Sequence, residues 1–174
     1  HLEDNLYDPS VYIHNNGYQK KSTFYDVQSS FSAEVNAYCG SYYEQNPQVK
    51  LSEDAAVLEK YNEENSVSLQ ALPSDCWSLE SSELKMKDKK ATFKVNFNIE
   101  ALKLLSTEPD YSDLRNYAVA LRLKSLTDGV NDARTEELGS TVIVPDMSKM
   151  AFSLDRAGVS DADLDNVEDY EGFI

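Results

Sequence analysis

The side chains best suited to chemistry in this chain cluster at Tyr42-Tyr43-Glu44-Gln45-Asn46. An exposed tyrosine ring offers a face on which a sugar ring can stack. Neighbouring carboxamides supply the donors and acceptors that hydroxyl groups need. Tyr42, Tyr43, Gln45 and Asn46 are therefore the candidate ligand-binding residues, and Tyr38 is expected to face outward on the strand before them. The competing expectation is structural: Tyr42 or Tyr43 covers one end of the fold, and Trp77, the one tryptophan, belongs to the core.

Catalysis has little to work with. A nucleophile needs a base beside it, and the two histidines are His1 and His14. His14 sits just before a turn and reads as a surface residue, not as a member of a triad. Glycoside hydrolysis needs two carboxylates at a set separation in a cleft, and 31 acidic residues offer no means of choosing a pair. No catalytic residue is assigned, and the chain is read as a non-enzyme.

Metals fare no better. Two distant cysteines and two N-terminal histidines lack any paired zinc-ligand spacing. Asp161, Asp163 and Asp165 have the spacing of the first three ligands of an EF-hand loop, but Asn166 stands where the loop needs glycine and Gly172 where it needs glutamate. Asp128, Asn131 and Asp132 around Gly129 form a second acidic loop. Solvated acidic surface is the reading for both, with no metal and no cofactor.

The elements that must position these residues are mostly strands. Phe93, Val95, Phe97 and Ile99 alternate with Lys94, Asn96, Asn98 and Glu100, the period of a strand with one buried face. Asp88-Lys89-Lys90 is a polar turn, so Leu84 to Lys87 and Ala91 to Asn98 read as a β-hairpin. Phe31 to Cys39 alternates in the same way, as does Tyr117 to Lys124, expected to be half-buried. Shorter strands are expected at Val11 to Ile13, Phe24 to Val27, Val49 to Leu51 and Thr141 to Val144, with Asn15-Asn16-Gly17 as a tight turn. Ser52 is the expected helix N-cap, with Glu53 and Asp54 in the first turn, and Val57, Leu58 and Tyr61 form an apolar stripe. Ala101 to Leu105 reads as one helical turn. The sum is a mainly β fold, an immunoglobulin-like antiparallel sandwich of seven to nine strands with one short helix over about 53–64.

The expected organisation is a mobile lead-in over 1–9, the sandwich over 10–145, and an acidic tail or linker over 146–174. Met150 to Leu154 offers one further strand. Seven acids follow from Asp155 against one base, Arg156. The net charge of −15 argues against nucleic acid, because a polyanion has no counterions to release for phosphates. No apolar run reaches the length of a membrane helix. Cys39 and Cys76 allow one bridge or two buried thiols.

In order, five blocks resemble a known family. They are Val11-Tyr12-Ile13 with Asn16-Gly17, Leu58-Glu59-Lys60-Tyr61-Asn62-Glu63-Glu64-Asn65, Leu72-Pro73-Ser74-Asp75-Cys76-Trp77-Ser78-Leu79, Ala91-Thr92-Phe93-Lys94-Val95, and Tyr117 to Leu123. The chain resembles, over 10–145, the N-terminal domain of unknown function found in surface lipoproteins of Bacteroidetes-type gut bacteria. The helix block and the Leu-Pro to Trp block that follows it are the most specific parts. The resemblance implies an immunoglobulin-like sandwich, export to the cell surface as an outer-membrane lipoprotein, and a lipid anchor upstream in place of a membrane span. It further implies a non-catalytic role beside glycan-binding or glycoside-hydrolase modules, with polysaccharide or neighbouring surface modules as partners. The alternative is a direct carbohydrate- or protein-adhesion module using the Tyr42–Asn46 loop, and the third reading is part of a glycoside hydrolase.

Overall fold

The computed structural model describes residues 9–13, 30–40 and 46–147. Among these, nine strands follow in order: β1 (Val11–Ile13), β2 (Ser30–Cys39), β3 (Gln48–Glu53), β4 (Gln70–Ala71), β5 (Trp77–Leu79), β6 (Glu83–Lys85), β7 (Lys90–Asn98), β8 (Tyr117–Ser125) and β9 (Ser140–Ile143). Helix α1 (Ala55–Asn65) separates β3 from β4, and helix α2 (Ile99–Leu105) follows β7. The expectations for Asn15-Asn16-Gly17, Phe24 to Val27, Met150 to Leu154 and the Asp161 to Asp165 run lie outside the described residues.

One sheet has the order β1-β2-β7-β5, antiparallel throughout. The other is built on β8, flanked by β3 and β9, with β6 outside β3. Alternation explains the interior. Ala91, Phe93, Val95 and Phe97 of β7 are buried, and so are their neighbours Ala33, Val35 and Ala37 of β2. They meet Leu51, Val119, Leu121 and Leu123 of the second sheet in one core. Met147, at the end of the described chain, is also fully buried there.

Strand β8 departs from the expected pattern, because both of its faces are buried. Ala118 and Ala120 pack under Val57, Leu58 and Tyr61 of α1, with Val142 and Val144, in a second small core. Alanine leaves room for a helix to approach the sheet closely, so α1 forms a third layer there. The backbone shows how α1 fits into the topology. Leu72 N donates to Ala118 O and Asp54 N to Ala120 O. Carbonyls two residues apart point to the same edge of a strand. The chain therefore leaves β8 after β3, makes α1, and returns along that same edge as the parallel strand β4.

The N-cap of α1 lies two residues later than expected. Glu53 still pairs with Leu121, and the cap is Asp54, whose Oδ1 accepts from Ala56 N at 2.9 Å. At the far end Ser66 takes the left-handed conformation (φ 55°), and Val67 N donates to Asn62 O. The Asn62 side chain clamps the exit: its Nδ2 donates to Leu69 O at 2.9 Å and its Oδ1 accepts from Leu69 N at 3.1 Å. Asn65 Nδ2 donates to Tyr61 O. The Tyr61-Asn62…Asn65 motif is thus explained by the end of a helix. The single turn expected at 101–105 is a two-turn helix, α2, with Ile99 and Leu102 buried.

The expected 84–98 hairpin is half right. Lys87 and Lys90 do close a two-residue turn, exchanging both backbone hydrogen bonds. The strands then part: β6 pairs with β3 in one sheet, β7 with β2 in the other. Asp88 (φ 54°) and Lys89 (φ 62°) both sit in the left-handed region, which disfavours side chains and suits Asn-Gly. Lys89→Gly keeps the backbone bonds and is expected to raise stability by about 0.5–1 kcal/mol. A urea midpoint at or below wild type would contradict the positive φ.

Candidate functional site

The solvent face of the β1-β2-β7-β5 sheet collects residues that alternation drives outward. Register fixes them in rows. Tyr12 stands opposite Tyr38, and Tyr38 opposite Lys90. The two rings stack with centroids 5.8 Å apart and planes 28° apart, and Lys90 Nζ lies 5.9 Å from the Tyr38 centroid. In the next row Thr92 Oγ1 donates to Asn36 Oδ1 at 2.7 Å. Glu34 faces Lys94 in the third, and Ser32, Asn96 and Ser78 make the fourth. Rows stand ~6.7 Å apart, two residues along each strand. Tyr38 lies on the outward face, as its alternation predicts. Tyr12 is not among the site residues that the sequence predicts, although its place between buried Val11 and Ile13 carries the signal.

Of the predicted ligand residues, Tyr42, Tyr43 and Gln45 lie outside the described residues. Asn46 is half-buried, and its Oδ1 accepts from Lys89 N at 2.8 Å, so this amide oxygen holds the 87–90 turn. Cys39 N donates to Lys89 O on the same turn, next to the Tyr38–Lys90 pair. Trp77 is half-buried against the main core. Asp132 of the second acidic loop accepts from Ser125 N at 2.8 Å, and Asn131 bonds the backbones of Pro9 and Val11. Among the described residues no group of three or more His, Cys, Asp or Glu side chains could hold a metal ion.

Among the described residues, the ionic cluster with the shortest contacts is also architectural. Arg122 Nε donates to Asp54 Oδ2 at 2.7 Å and Nη2 to Glu136 Oε2 at 2.8 Å, tying β8 to the cap of α1 and to the loop before β9. The Arg122 bond, then the Ala56 N–H, hold the Asp54 carboxyl below the usual carboxylate range. Burial pushes Asp113 up, but hydrogen bonds from Ser106 and Thr107 outweigh it and leave this carboxyl low. Both cysteines are buried and free. Cys39 lies beside Lys89 and Cys76 precedes the partner of Phe97, eight residues along β7, or ~26 Å. That separation rules out a bridge. Burial, with Asp75 beside it, pushes the Cys76 thiol up to about 11, so it is a packing residue and not a nucleophile.

A cleft of about 540 Å³ opens beside the end of α1, floored by Tyr61, Leu69 and Val144. At its rim Arg115 Nε lies 3.5 Å from Asp146 Oδ1.

Strands β1, β2, β7 and β5 against β3, β8 and β9 reproduce the A-B-E-D and C-F-G sheets of an immunoglobulin-like sandwich. Residues 7–130 match the model of a family described as a "-like, N-terminal domain". The chain belongs to that N-terminal domain family. No curated protein matches it significantly. Solved structures share the fold. One is a Bacteroides ovatus protein provisionally described as carbohydrate binding, 15% identical with a TM-score of 0.57, the match covering 79% of this chain and 37% of that one. A two-domain Bacteroides fragilis protein of unknown function is 17% identical with a TM-score of 0.54, covering 83% and 47%. EndoBT-3987 of Bacteroides thetaiotamicron, solved with a Man5GlcNAc product, is 14% identical with a TM-score of 0.57, covering 80% and 31%. At such identities the likeness is one of fold, and the match spans less than half the length of each of these proteins.

Proposed function

We propose that this chain is a non-catalytic module of a lipid-anchored surface protein, which positions or assists a glycan-binding neighbour in polysaccharide capture. One observation carries the reading: the same sandwich recurs as a minor part of longer Bacteroides proteins, one provisionally described as carbohydrate binding and one solved with a glycan product. The chemistry of the described residues supports it. The hydrogen-bonded carboxylates of Asp54 and Asp113 are spent on a helix cap, a guanidinium and a loop, so they bind the module together. The second sheet and α1, tied in this way and joined to the first sheet by one apolar core, make a stiff spacer.

The test is made in cells. Deleting the module from the full-length protein is expected to lower polysaccharide capture while the isolated neighbour keeps its affinity. Antibody against the module should label intact cells. Unchanged capture, or label only after lysis, overturns the reading, and so does glycoside turnover by the chain alone.

A further inference from the structure

We infer that the outer face of the β1-β2-β7-β5 sheet itself binds a neutral glycan chain, laid against the stacked Tyr12–Tyr38 pair and the amide and hydroxyl rows beside it. The inference rests on the glycan context of the reading above but adds a contact surface to it.

Three observations carry it. First, the face departs from the charge of the chain. The protein has 31 acids against 16 bases, yet this face carries two described acids, Glu34 on β2 and Glu80 just past β5, which flank Lys94 on either side, and Lys90 adds a second base. Second, what replaces charge is neutral hydrogen-bonding chemistry: Asn36, Thr92, Asn96, Ser32 and Ser78 stand in adjacent rows. Amides and hydroxyls each donate and accept, which matches sugar hydroxyls that do the same. Third, the aromatic pair is half-exposed at one end of these rows, its rings stacked on each other. Tyr12 and Lys90 flank Tyr38 in the row, so the outer face of Tyr12 and the ring edges of the stacked pair are what a pyranose covers while the neighbouring rows bind its rim.

Other occupants fit less well. The exposed large apolar residues of the described chain, Val67, Leu104 and Leu126, all lie off this face, so it lacks the apolar centre of a protein interface. Nucleic acid would meet a polyanion.

The test uses the chain as it stands in affinity electrophoresis through gels holding α-mannan, arabinoxylan, xyloglucan or polygalacturonate. Retardation by at least one of the three neutral polymers is expected, and it should persist at high salt. Tyr38→Ala and Tyr12→Ala should each weaken it roughly tenfold, with circular dichroism showing that both variants fold. Asn96→Ala, away from the aromatic pair, should weaken it less. Retardation by none of the polymers overturns the inference, as does wild-type binding by both tyrosine variants. Binding confined to polygalacturonate and abolished by salt also overturns it, because the lysines alone would then be read. The spacer reading survives any of these outcomes if deletion in cells still lowers capture.

Discussion

Phe93→Ala is expected to cost about 3–5 kcal/mol, the largest loss of any single truncation here. Phe93 is 1% exposed, lies opposite Val35 across β2 and β7, and is among the bulkiest fully buried side chains of the main core. Losing its ring removes the transfer energy of the ring and leaves a cavity that two hydrogen-bonded sheets can close only in part. A domain of this kind has about 5–15 kcal/mol in total, so much of the margin goes. The neighbour Lys94 supplies the control. It is exposed on the other face, and Lys94→Ala is expected to stay within about 0.5 kcal/mol. Urea unfolding of both variants gives the comparison. Equal midpoints would mean that the β2–β7 register is one residue off, since such a slip exchanges the two faces completely.

That contrast marks what the sequence could reveal. β7 was legible because one face is buried and one wet, which is all that period-two alternation encodes. β8 was half legible. Val119, Leu121 and Leu123 announce the core, but Ala118 and Ala120 look like a solvent face until α1 is seen to cover them. The 87–90 turn was legible from local chemistry. Its flanking strands were not, because the partner of Leu84 is Val49, a pairing set by distant chain. Ser52 and Asp54 are both good caps, and pairing of Glu53 with Leu121 decides between them. The site follows the same logic. The outward direction of Tyr38 came from alternation, whereas its stacking on Tyr12 needed the register of two strands separated by sixteen undescribed residues. Asn46 has the chemistry of a ligand residue, but its amide oxygen is directed at the Lys89 backbone.

Arg122→Met should cost about 1–2 kcal/mol near neutral pH and markedly less in acid. The guanidinium is one-fifth exposed and bridges Asp54 and Glu136, which are about a third exposed and 28% exposed. Water reaches both carboxylates, so the loss falls between that of a surface pair and a buried one. The pH dependence follows from Asp54. Its folded-state carboxyl is held low, first by the Arg122 hydrogen bond and then by the Ala56 N–H, so the unfolded chain takes up its proton more readily. This stabilisation is complete above the ordinary carboxylate value, near pH 4, and is lost as pH falls through the lower folded value. Arg122 remains charged throughout and adds no pH dependence of its own. Wild type therefore loses stability on acidification that Arg122→Met has already lost, and the two urea midpoints converge below about pH 4. Asp54→Asn removes the same ion pair while keeping an oxygen for the cap. Combined with Arg122→Met it should cost less than the sum of the two, by about 0.5 kcal/mol or more. A gap between wild type and Arg122→Met that stays constant through the acid range, together with strict additivity, would show that α1 is held to β8 by the packing of Val57, Leu58 and Tyr61 alone.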